Sequence, residues 1–190
     1  MRAWAHTLAV AFLLALKAAD STGEAPKVAE DALAITLRAD MDTYGRGGTL
    51  RLEVTLLNRS ADAIALYGQL LWGPNAGLQL HVIGADGKEI RRPHVDHDFI
   101  VPSSIGSHGS YLKLPSGHYF GTVREIPLSQ LVPEPGDYQL VVDYLSPAPA
   151  ALVHIKGLWP RERGTLRSPP LLIRVLGTGL GEETSPGAAK

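Results

Sequence analysis

From residue 33 to 175 apolar and polar side chains repeatedly change places with a period of two, and this rhythm narrows the possible folds more than any other feature. In "TLRLEVTLLN", Leu50, Leu52, Val54 and Leu56 stand against Arg51, Glu53 and Thr55. Successive side chains of a strand point to opposite faces, so such a segment buries one face and wets the other. A helix would need its apolar residues three and four apart. "LAITLRA" (Leu33, Ile35, Leu37), "LQLHVIG" (Leu78, Leu80, Val82), "DYQLVVDYL" (Tyr138, Leu140, Val142, Tyr144) and "PPLLIRVLG" (Leu171, Ile173, Val175) repeat the pattern. Ile64 with Leu66, and Leu112 with Leu114, mark shorter segments of the same kind. "HYFGTVREIPL" loses its alternation near Gly121 and reads as a strand with a bulge. Asp86-Gly87 accepts the positive φ of a tight hairpin. "GRGG" at 45–48 lacks the Lys-Ser/Thr ending and the helix of a phosphate loop, and reads as a turn. Short strands at regular spacing, with Gly and Pro between them, predict an all-β antiparallel sandwich.

The 190 residues suffice for one domain with a good core, and the 45% hydrophobic and 19% charged shares are those of a globular chain. A formal net charge of −1 provides no electrostatic footprint for nucleic acid or an anionic membrane, so neither is expected as a partner. The absence of cysteine removes disulfides, thiolate nucleophiles, Cys-ligated zinc and iron–sulfur clusters together. The N-terminus places Arg2 before an apolar run at 8–16 and the small residues Ala18, Ala19 and Ser21. That is the plan of a secretory signal peptide, with an apolar run too short to span a bilayer comfortably. The expected organisation is a signal-peptide helix at 1–19, a linker at 20–31, the sandwich at 32–177 and a disordered tail at 178–190. The expected location is the periplasm or outside the cell, with no membrane span unless the N-terminus stays uncut.

One local motif sharpens the fold. "PEPGDYQL" puts Pro135-Gly136 just before Tyr138, at the entry to a strongly alternating strand. A tyrosine at such a corner sends its hydroxyl back to the backbone upstream. Trp159, in "GLWPRERGTLRSPP", is expected to pack on the sandwich edge. The succession "LRLEVTLLN", "GLQLHVIGADGKEI", "LKLPSGHYFG", "PGDYQLVVDY", "GTLRSPPLLIRV" resembles bacterial extracytoplasmic immunoglobulin-like domains of uncharacterised type. More loosely it is similar to the intracellular proteinase inhibitor family of bacilli, through a strand ending in Asn, a "DGKE" hairpin and a Leu-Pro-Gly stretch before the "PG-x-Y" strand. The first resemblance implies an antiparallel immunoglobulin-like β-sandwich, the second a loop that occupies a protease cleft.

Few residues suggest chemistry. "PHVDHDF" holds His94, Asp96, His97 and Asp98, and two imidazoles with a carboxylate would suit zinc, copper or iron if a loop brought them together. Arg91 and Arg92 beside them would repel a cation unless turned outward, and a solvated crossover between sheets explains the same polarity. His81 and His154 read as surface histidines. "GSHGS" at 106–110 is not a nucleophile elbow, and Glu125, Glu134 and Asp137 fall near strand ends without the pairing that glycoside cleavage needs. "NRS" at 58–60 matches an N-glycosylation acceptor, yet a strand-ending Asn-x-Ser turn accounts for it. The reading that remains is a non-catalytic, exported immunoglobulin-like module without a cofactor. It would bind an unknown protein or cell-envelope ligand through inter-strand loops. The long connection at 91–109, with Phe99, and the apolar loop at 67–75, with Trp72 and Asn75, are the expected contact surface. The alternatives are a proteinase inhibitor and a metal-binding protein that uses the loop at 93–99.

Overall fold

The computed structural model describes residues 32–73, 77–90, 103–152 and 154–177. The segments expected as signal peptide, linker and tail lie outside the described residues. Among the described residues ten strands run in chain order: β1 Leu33–Ala39, β2 Thr43–Gly45, β3 Thr49–Asn58, β4 Ile64–Tyr67, β5 Gly77–Gly84, β6 Tyr111–Leu114, β7 Tyr119–Pro127, β8 Gly136–Leu145, β9 Leu166–Arg167 and β10 Leu171–Leu176. One sheet has the order β1-β3-β7, and the other has the order β2-β10-β8-β5 with β9 beside β8. These correspond to the A-B-E and G-F-C orders of an immunoglobulin sandwich. The chain is therefore an immunoglobulin-like β-sandwich. A third, two-stranded piece pairs β4 with β6.

The period-two rhythm becomes the core. Leu50, Leu52, Val54 and Leu56 of β3 are all 0% exposed, and they join Leu78, Val82, Tyr138, Leu140, Val142, Tyr144, Ile173 and Val175 in one cluster. Burial of such side chains stabilises the fold by roughly 1.5–3 kcal/mol each. Antibody domains place an inter-sheet cysteine two residues after the corner tyrosine. In this cysteine-free chain Leu140 stands there, fully buried.

Several local expectations are corrected. Just ahead of the predicted "GRGG" turn, which is present, "TYG" forms an unforeseen strand, β2, parallel to the end of β10, with Tyr44 buried. Its hydroxyl donates to Asp40 Oδ1 at 2.6 Å. Burial, then that carboxylate, pushes the Tyr44 pKa up to about 12. No bulge occurs at Gly121, because β7 pairs with β3 in unbroken register from Thr49↔Pro127 to Leu57↔Tyr119. The glycine serves close approach instead, since a Cβ there would lie 2.5 Å from the Val54 carbonyl oxygen. Leu112 is 37% exposed while Leu114 is buried, although the two share one face of β6, so only the Leu114 end of this short strand reaches the core. Trp159 is not on the edge. It is buried with the core cluster, and its backbone N–H donates to the Ala65 carbonyl at 3.0 Å, which lays its segment along β4.

At the start of β8 the Tyr138 hydroxyl donates to the backbone oxygen of Glu134 at 2.5 Å, four residues upstream. The bond ties the incoming loop to the first turn of the strand. Tyr138→Phe removes the donor and leaves that carbonyl to water, so a stability loss of about 1 kcal/mol is expected. A thermal melt at matched concentration measures it, and an unchanged midpoint would mean that the corner contributes nothing.

Candidate functional site

The richest polar surface lies where three chain segments meet beside β4 and β6. Gly68, just after β4, donates its N–H to the Ser110 carbonyl at 2.8 Å. The Tyr67 and Ser104 hydroxyls are 3.3 Å apart, and Tyr111 donates to the Ile105 carbonyl at 2.7 Å. The Tyr67 and Tyr111 rings meet edge to face at 5.8 Å. A short 3-10 turn, Ser103–Gly106, and a second, His108–Ser110, carry the chain across this surface. The third segment is the turn at 149–158, whose His154 ring lies 4.8 Å from that of His108. The described ends of the two expected contact loops therefore abut one another. The stretch 104–109 contains no charged side chain and is built from Ser, Ile, Gly and His.

Trp72, five residues after Tyr67, is only partly exposed. It packs against the core cluster, and the Arg124 guanidinium lies 4.9 Å above its ring. Residues 71–73 are strapped to β5, with Leu78 N–H to the Leu71 carbonyl at 2.7 Å and Gly73 N–H to the Leu78 carbonyl at 2.8 Å. The tryptophan thus closes the end of the sandwich, while Leu71, 39% exposed, is the side chain presented outward. Asn75, Phe99 and the metal candidates His94, Asp96 and His97 lie outside the described residues.

A second polar cluster occupies the outer face of the larger sheet. His81 is not the exposed surface residue its position suggested, because its side chain is only 14% exposed. Its Nδ1 is 2.9 Å from Glu89 and its Nε2 is 3.1 Å from Asp143, although the latter contact is off-line for a hydrogen bond. Arg167 holds Asp143 through two bonds of 2.8 and 2.7 Å. Both imidazole nitrogens face carboxylates on opposite sides of the ring, so the three groups cannot converge on one ion or offer a lone pair to a substrate. The cluster clasps β5, β8 and β9 together. Asp143 is two residues from Val141, the β8 partner of His81, so register brought the pair together and spacing in the sequence could not reveal it.

Two open grooves lie elsewhere on the surface of the described residues. One of about 420 Å³ is lined by Gly84, Asp86, Lys88, Ile90, Pro135 and Tyr138 among others. Its charges are paired: the Lys88 backbone N–H holds the Asp86 carboxyl below the usual range, and the Arg174 fork does the same for Asp137. The other, about 460 Å³, runs between β1 and β10 past Met41 and Leu172. Among the described residues no group of three or more His, Asp or Glu side chains is arranged to hold a metal ion. Among them, too, no helix is long and apolar enough to cross a membrane.

No protein-family model and no curated protein sequence matches the chain. Among solved structures it is similar to a β-glucosidase from Erythrobacter marinus, at 13% identity and TM-score 0.38, over 76% of this chain and 15% of that enzyme. The chain thus spans a small part of the glucosidase. It is also similar to the CARDB domain of a Pyrococcus furiosus protein crystallised with di-metal ions, at 9% identity and TM-score 0.35, over 76% and 87% of the two chains. The C-terminal domain of Wzt aligns at 9% identity and TM-score 0.39 over 84% of each chain.

Proposed function

We propose that this chain is a non-catalytic, exported immunoglobulin-like module that binds a protein or other cell-envelope ligand through the surface formed by 67–73, 103–110 and 149–158. The supporting observation is the contiguity of these loops on a rigid sandwich, stitched by the Gly68–Ser110 and Tyr67–Ser104 contacts. Ser, Gly, Tyr and His side chains on fixed backbone give adaptable hydrogen bonding at low ordering cost, the chemistry used by loop-borne recognition surfaces. The polar side chains beneath are engaged in holding the scaffold, as with Asn58, Tyr138, Ser146 and the His81 clasp. Export is supported by Arg2 and the apolar run at 8–16 that precedes Ala19.

Gly106 and Gly109 have ordinary φ values, and a Cβ at either meets no backbone within 4 Å. Gly106→Arg with Gly109→Arg therefore enlarges and charges the surface without moving the chain. The test is cross-linking of the full-length protein in its own cells, followed by mass spectrometry. A partner recovered with the unaltered protein should be lost with the double variant and kept with Thr36→Arg, on the exposed face of β1. Equal recovery from both variants would refute the loop surface. A protein confined to the cytoplasm with residue 1 intact would refute export. Inhibition of a protease by the purified chain would replace this reading with the inhibitor one.

A further inference from the structure

We propose that His108 and His154 form a binding site for a late first-row divalent cation, zinc or copper, held by two imidazoles with water completing its shell. The ring centroids are 4.8 Å apart and the planes are inclined by 57°. A metal–imidazole bond is about 2.0–2.1 Å long, which places the centroids of two rings on one ion roughly 4.5 Å apart at a right angle and roughly 5 Å apart at a tetrahedral one. The observed spacing falls between these values, so the two rings are already as far apart as a shared ion requires.

The surroundings of the four described histidines separate this pair from the others. His81 has both nitrogens on carboxylates, and His118 Nδ1 lies 3.0 Å from the Ser116 carbonyl oxygen. His108 and His154 are exposed, and among the described residues each ring has the other as its neighbour, with no carboxylate or carbonyl committed to its nitrogens. Their supports are ordered independently. His108 follows Ser107, whose N–H donates to the Ser104 carbonyl at 2.8 Å, and Ser110 Oγ donates to the same carbonyl at 2.9 Å. His154 precedes Ile155, which is buried and donates its N–H to the Leu152 carbonyl at 3.0 Å. Two imidazoles suit zinc and copper, and open coordination positions make the ion exchangeable. The ion would tie the 103–110 crossing to the 149–158 turn. The inference stands whether or not those loops bind a partner.

The test uses the whole chain, purified without a polyhistidine tag and stripped with chelator, then titrated calorimetrically with zinc chloride and copper chloride. One saturable equivalent is expected. His108→Ala and His154→Ala should each weaken it by at least about tenfold, whereas His94→Ala with His97→Ala should leave it unchanged. Zinc should raise Tm by several degrees in the unaltered protein and not in His154→Gln, because an ion that binds the folded chain stabilises it by mass action. His108 and His154 are exposed, and a circular dichroism spectrum checks that each variant folds. Absence of saturable binding, binding that survives both single substitutions, or binding lost with the 94/97 variant would overturn the site.

Discussion

Asn58→Ala is expected to destabilise the domain by about 3 kcal/mol and to lower Tm by roughly 10 °C. The residue ends β3 with its side chain 0% exposed, and that amide organises the turn that follows. Its Nδ2 donates to the carbonyls of Asp62 and Leu114 at 2.8 and 2.9 Å, and its Oδ1 accepts from Ser60 N–H and Oγ at 2.9 and 2.7 Å. Its backbone meets the 114–118 turn as well, through His118 O and Gly117 N–H. Alanine leaves the Leu114 carbonyl buried without a donor, and an orphaned buried group costs about 1–3 kcal/mol before the lost turn bonds are added. Ser60→Ala removes one partner from the exposed side and should cost about 1 kcal/mol. Denaturant unfolding of the two variants measures the difference, and an Asn58→Ala loss no larger than that of Ser60→Ala would refute the account. The geometry also explains the "NRS" motif: both Nδ2 hydrogens are committed, so the folded amide is unavailable to a glycosyl donor.

Those bonds show which features of the chain were legible in advance. β3 and β8 were readable because each crosses the sandwich with one face in the core, which imposes a period of two that is unbroken in the burial of β3 and interrupted in β8 only at Val141. β4 shows no alternation because all four of its residues are buried, with β6 on one edge and the Trp159 segment on the other. Its pairing with residues 157–159 depends on a loop remote in sequence. β2, which leads into the glycine-rich turn, went unread because three residues are too few to display a period. The slip at Gly121 was visible, but its cause, a neighbouring carbonyl, belongs to the pairing of β7 with β3. The candidate site was legible only as loops. That 67–73 and 103–110 touch, and that His108 finds His154, are consequences of sheet topology, for which local patterns carry no signal. The Asp-Gly hairpin was readable because it is local: Gly87 has φ 77° and donates to the Gly84 carbonyl at 2.9 Å.

Gly77→Ala is expected to have the largest effect of any single substitution considered, a loss of about 4 kcal/mol. Two penalties coincide there. The backbone φ is 89°, outside the range that side chains tolerate, and a Cβ would lie 2.1 Å from the Leu71 carbonyl oxygen. That oxygen cannot retreat without breaking the 2.7 Å bond from Leu78 N–H, and the Gly73–Leu78 bond goes with it. Segment 71–73 would then leave β5, and Trp72 would lose the Arg124 guanidinium stacked on its ring. Gly87→Ala supplies the control. Its φ of 77° is comparable, but nothing lies within 4 Å of the added carbon, so it isolates backbone strain of about 1–2 kcal/mol. The excess of the first over the second measures the clash and the strap. Tryptophan fluorescence should shift to the red for Gly77→Ala alone, because Trp159 stays buried in both variants. Equal destabilisation of the two, without a shift, would mean that the 71–73 strap does not hold the end of the sandwich. The proposed contact surface would then lose its fixed border at Leu71.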